Sequence, residues 1–151
     1  MSRRFGATGP QLHGAGWDVI PVKKRSKRAI IDGWQRGFTT EQVNEYAANG
    51  YANGNVGLLA RKFPCADIDV TDAACADAIE SCLRASLGDA PVRYGTRPKR
   101  LLMYRTDAPF TKVKVFLRGP NGDRGIDGKE YAVEFLGDGQ QYVIYGEHPD
   151  G

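Results

Sequence analysis

Apolar residues recur in two rhythms along this chain, and the rhythm changes near residue 88. Trp17-Asp18-Val19-Ile20-Pro21-Val22 alternates and is β-rich, which predicts a strand. Thr39 and Gln42 have the spacing of a capping box, so a helix is expected from there to Gly50. Asn55–Leu59 and Cys65–Val70 read as two further strands. Thr71 or Asp72 then suits an N-cap. Cys75, Ile79, Cys82, Leu83 and Leu87 follow at i, i+4, i+7, i+8 and i+12, a stripe that predicts a second helix closed by Gly88. Beyond it the period shortens to that of strands, expected at Val92–Gly95, Arg100–Arg105, Lys112–Leu117, Tyr131–Leu136 and Gln140–Tyr145, with Gly, Asp, Asn and Pro between them. Residues 7–16 hold too many glycines to predict a helix.

The order is β, α, β, β, α and then strands only. It implies an α+β fold with helices packed on one face of a mostly antiparallel sheet, and it excludes a doubly wound one. The 151 residues suit a single domain, 1–151. Such a length buries roughly 68–70% of the unfolded surface, so neither disulfide nor metal is needed for folding. With 19 Gly and 8 Pro dispersed throughout, the elements are short and joined by tight turns. No stretch approaches the ~18 apolar residues of a membrane span, and the N-terminal segment lacks the apolar run of a secretion signal. Three cysteines, Cys65, Cys75 and Cys82, then imply free thiols in a reducing, cytoplasmic setting, with Cys75 and Cys82 on one buried helix face. The chain stops inside a turn at Gly151, as a fragment of something longer would.

Charge adds detail. Lys and Arg total 21 against 18 Asp and Glu, a net +3 that is compatible with nucleic acid without requiring it. The basic residues are segregated. Lys23, Lys24, Arg25, Lys27 and Arg28 form a loop that is either merely solvated or in contact with phosphates. Arg93, Arg97, Lys99 and Arg100 sit with Thr96 in a hairpin free of acids, suited to a triphosphate or a nucleic-acid backbone. Asp67 and Asp69 share one strand face, where they are either two solvated acids or oxygen ligands for Mg²⁺ or Mn²⁺. Glu134 is a further acid in an apolar strand. On a neighbouring strand it would join the pair in a two-metal cage. His148 ends the last strand. With His13 as the only other histidine, a His-His metal pair close in sequence is excluded, as are P-loop and nucleophile-elbow motifs.

In order and spacing these segments resemble the bifunctional primase–polymerase domain of phages, plasmids and prophages, within the archaeo-eukaryotic primase superfamily. The likeness runs through Gly16–Val22, Gly33-Trp34, Asn55–Leu59, Asp67-Ile68-Asp69, Pro91-Val92-Arg93, Pro98–Arg105, Val133-Glu134-Phe135 and Asp138–Gln141. It implies an RRM-like catalytic sheet and template-directed nucleotidyl transfer, with Asp67, Asp69 and Glu134 holding two Mg²⁺ or Mn²⁺ ions. It further implies nucleoside triphosphate bound by Arg93, Thr96, Arg97, Lys99, Arg100 and His148, and DNA template or primer along Lys23, Lys24, Arg25 and Lys27. A helicase domain would follow in the full-length protein, and the isolated domain would be monomeric. The family's hydroxyl-x-His motif is missing, since no histidine lies between residues 93 and 105. Three alternatives stand beside this reading: a nucleic-acid-binding module on an inactive primase-like fold, a metal-dependent nuclease, and an interaction domain without chemistry.

Overall fold

The computed structural model describes residues 4–119, 122–125 and 127–149; the turn read at Asp150 and Gly151 lies outside them. The chain opens with a helix that its composition hides, α1 (Arg4–Gly14), which includes Pro10 and several glycines. Tertiary contact overrides the poor propensity here. Phe5 is fully buried, and a Cβ on Gly9 would stand 2.9 Å from its ring, so the glycine is what lets the ring fold back against its own helix. The first-turn amides of Phe5 and Gly6 donate to the carbonyls of Gly54 and Ala52, which satisfies groups a helix start leaves open.

The remaining elements follow the sequence pattern closely. They are β1 (Val19–Val22), α2 (Thr40–Ala48), β2 (Asn55–Leu59), β3 (Cys65–Asp69), α3 (Ala73–Leu87), β4 (Val92–Tyr94), β5 (Arg100–Met103), β6 (Val113–Leu117), β7 (Tyr131–Leu136) and β8 (Gln141–Tyr145). Thr39 and Gln42 form the expected reciprocal capping box on α2. Asp72, rather than Thr71, caps α3 by accepting from the Cys75 amide at 2.7 Å.

The α+β expectation holds, and the strands divide into two antiparallel sheets. The smaller has the order β1-β2-β8 and the larger β4-β5-β3-β7-β6. Helices α1 and α2 pack on each other and on the smaller sheet, whereas α3 crosses the larger one over β3. The main core lies where the two halves meet. Phe5, Val43, Val56 and Leu58 from the small-sheet side close on Cys65, Leu101 and Leu136 of the large sheet. A second core, of Ile68, Leu102 and Tyr131 with Ala76, Ile79 and Leu83, lies under α3.

The helix stripe needs a correction. Only Cys65 is a buried thiol; Cys75 is half-buried, and Cys82 and Leu87 are exposed. The contact line of α3 runs through Ala76, whose small side chain admits the sheet closely, so the helix is rotated away from Cys82. Among the described residues no helix is long and apolar enough to cross a membrane.

Candidate active site

Directly opposed residues of antiparallel strands point to the same face. Here the register sets Arg93 opposite Leu101, Leu101 opposite Asp67, Asp67 opposite Glu134, and Glu134 opposite Lys114. One row thus crosses the whole large sheet with two acids side by side at its middle. The next row holds Asp69, Ala132 and Phe116. Ile68, between the aspartates, is buried toward α3, so the alternation read from the sequence is the alternation of the sheet.

The face bearing the acids opens into a cleft. One cavity, of about 460 Å³, is lined by Asp67, Asp69, Arg93, Thr96, Lys99 and His148 among others. It shares Lys27, Arg93, Gly95, Thr96 and His148 with a second cavity of about 600 Å³ that extends to Tyr145. The acids are unequally placed. Burial holds Asp67 above the usual carboxylate range, Asp69 and Glu134 add repulsion, and Arg93 and Lys27 offset part of it. Burial also pushes Glu134 upward, but hydrogen bonds and charge from Lys112 and Lys114, at 3.1 and 3.2 Å, carry it below its ordinary value. Asp69 is paired with Lys99 at 2.7 Å.

Arg93 is a half-buried cation beside Asp67. Desolvation lowers its pKa against the pull of Asp67, and its Nε is buried without a hydrogen-bond partner among the described residues. A guanidinium so placed has bonding capacity left for an anion.

The other predicted site residues are distributed unevenly. Thr96, Arg97 and Lys99 line the cleft, with the Arg97 guanidinium 3.8 Å above the Tyr94 ring. Arg100 borders the same cavity, but as a paired cation. It pairs with Ile68 in the register, is 7% exposed, and gives its Nη1 to Glu80 at 2.6 Å and Asp77 at 2.8 Å on the α3 side. Of the basic loop, Lys27 reaches the acids' cavity, whereas Lys23 lines a separate hollow with Asp32 and Trp34. Lys24 and Arg25 lie within electrostatic reach of Glu147.

The family can now be weighed against this geometry. The sequence model of the bifunctional DNA primase/polymerase N-terminal domain matches residues 11–151. The chain belongs to that family. No curated protein matches it. A function of the primase/polymerase type, in general terms, comes with membership.

One organising residue escaped the sequence reading. Asn55 is fully buried at the start of β2, where its Nδ2 donates to the carbonyls of Ser26 and Glu147 at 3.2 and 2.9 Å. Its Oδ1 accepts from the Glu147 amide at 3.0 Å. A single amide side chain therefore fixes the basic loop beside Lys27 and the segment that carries His148. Gly146 makes room for it: a Cβ there would lie 2.1 Å from Asn55 Oδ1, and its φ is 145°. Gln141 adds a bond from Nε2 to the Lys27 carbonyl at 2.6 Å. The signal was an Asn within the otherwise apolar Asn55-Val56-Gly57-Leu58-Leu59, a polar group that can be buried there only if it is bonded.

Proposed function

We propose that this domain catalyses divalent-metal-dependent, template-directed nucleotidyl transfer, as a primase or DNA polymerase. The observation that carries the reading is the register that sets Asp67 beside Glu134, with Asp67 and Asp69 themselves on the wall of a cation-rich cleft. Asp67 and Asp69 offer the hard oxygen donors that Mg²⁺ or Mn²⁺ prefers. The cost of burying Asp67 near like charge is one a divalent cation relieves. Among the described residues no group of three Asp, Glu, His or Cys side chains is gathered closely enough to hold a metal, with Glu134 engaged by its two lysines. Glu134 would join the aspartates by releasing them. When bound, metal ions at such carboxylates activate a primer hydroxyl and stabilise departing pyrophosphate.

The chain's own residues do the rest. Arg93 and Lys99, both lining the cleft, neutralise triphosphate charge, and Arg97 adds a guanidinium held over the Tyr94 ring. The Thr96 hydroxyl and His148 supply hydrogen bonds on the same wall. Lys27 guides template phosphate into the cleft. The wider setting we propose is a mobile-element replication protein in which a helicase segment follows this domain, as the family likeness implies.

The lysine-engaged Glu134 also favours a second reading, a nucleic-acid-binding module without catalysis. Incorporation of labelled nucleotide on a primed template separates the two. Catalysis predicts extension with Mn²⁺ or Mg²⁺, none with EDTA, and none in Asp67→Asn/Asp69→Asn. Template binding with no extension under any metal selects the binding module.

A further inference from the structure

The edge strand β6 carries a pattern that the cleft residues do not account for. Lys112, Lys114, Phe116 and Arg118 alternate onto one face, the face of Glu134, as the lysine contacts and the Lys114–Glu134 register confirm. Phe116 is 49% exposed. Lys114 Nζ lies 5.0 Å and the Arg118 guanidinium 5.7 Å from the centre of its ring. An exposed aromatic flanked by cations is a poor solution for stability, since the ring gains little burial there. It is the combination that single-stranded nucleic acid uses: a π-face for a base, and charges on either side for phosphates.

We propose that this β6 strip is a single-stranded nucleic-acid track that leads to the acid site. Phe116 stacks a base, and Arg118 with Lys114 holds the adjoining phosphates. Phe116 belongs to the same row as Asp69, two strands away. That is ~10 Å at the spacing of strands, about the rise of three stacked nucleotides. A strand lying on Phe116 therefore reaches the aspartates within a few nucleotides. The inference rests on the reading of the cleft as a nucleic-acid-directed site and names where the strand lies outside it.

The test is fluorescence anisotropy with a labelled oligodeoxythymidine over a range of salt, run beside the nucleotide-incorporation assay. Phe116→Ala should weaken binding roughly 5- to 150-fold, the span of base–aromatic stacking, and Phe116→Tyr should restore it. Arg118→Gln should flatten the log–log salt slope by about 0.7. Val115→Ala, an exposed apolar neighbour on the opposite face, should bind as wild type does. Wild-type affinity in Phe116→Ala overturns the track, whatever the incorporation assay gives. So does a Phe116→Ala protein that binds normally but loses a self-association seen by sedimentation, because the strip is then a protein interface. If Phe116→Ala weakens binding while wild type incorporates no nucleotide with any metal, the track stands and the catalytic reading falls.

Discussion

The two faces of the large sheet are built from the same strands and treat charge in opposite ways. Under α3, Arg100 is enclosed and paired with Glu80 and Asp77, and Glu80 also holds Arg84. On the cleft face, among the described residues, Asp69 has one half-exposed lysine, Glu134 has two lysines that solvent reaches, and Arg93 keeps an unbonded Nε. The first face is a closed set of partners. The second is a set of provisional ones, each exchangeable for a ligand at modest cost because exposed ion pairs contribute only ~0–1 kcal/mol. Lys99 and Arg100 make the contrast sharp: adjacent in sequence and both bordering the acids' cavity, they pair differently, Lys99 with the half-exposed Asp69 and Arg100 with Glu80 and Asp77 of α3. A buried guanidinium with fixed partners holds structure, and an exposed ammonium on a lone carboxylate stands ready for exchange.

The strongest way to break this contrast is to neutralise the cleft acids. Asp67→Asn/Asp69→Asn should lower nucleotide incorporation at least ~100-fold, the order of effect that electrostatic groups at a reaction centre carry, while the unfolding midpoint in urea does not fall. Next in size, Arg100→Ala should cost about 3 kcal/mol in urea unfolding by stranding Glu80, and leave incorporation measurable at low temperature. Asn55→Ala should fall between the two classes, losing about 1–3 kcal/mol and raising the KM for nucleotide, because it frees both the basic loop and the His148 segment.

The smallest effect concerns pH and has opposite signs at the two paired acids. Asp67 has a raised pKa, so its ionisation opposes folding once pH exceeds that value. Asp67→Asn should raise the melting temperature at neutral pH, and the gain should vanish in acid, where Asp67 is protonated folded or unfolded. Glu134 has a lowered pKa, so it stabilises above the ordinary carboxylate range. Glu134→Gln should lower the melting temperature there, and the deficit should close as pH falls through the depressed value. Thermal melts between about pH 3 and 8 read both.

These contrasts also show what the sequence could carry. Strands and helices with a clean period were legible, and so was the shared face of Asp67 and Asp69, because alternation is a local property. That Glu134 lies opposite Asp67 depends on register between strands far apart in the chain, which no local pattern states. The four basic residues of the hairpin looked alike in sequence; only the placement of α3 gives Arg100 carboxylate partners outside the cleft acids. Helix α1 was hidden because its propensity is poor and its stability comes from Phe5 and the carbonyls of a distant loop. Asn55 was visible as an anomaly, but its partners, Ser26 and Glu147, lie on opposite sides of it in the chain.

The two sheets differ in chain connectivity as well. Every strand of the large sheet comes from one unbroken stretch, Cys65 to Leu136, whereas the small sheet is interrupted by that stretch and completed only by β8. Asn55 waits longer still, for a partner 92 residues downstream. Contacts between nearby segments form sooner than those that must close a long loop. All the strands of the large sheet therefore precede β8, the strand that completes the small sheet and leads into the segment carrying His148. A chain released before β8 would present its carboxylates on an open sheet, with no clasp to hold the basic loop over them.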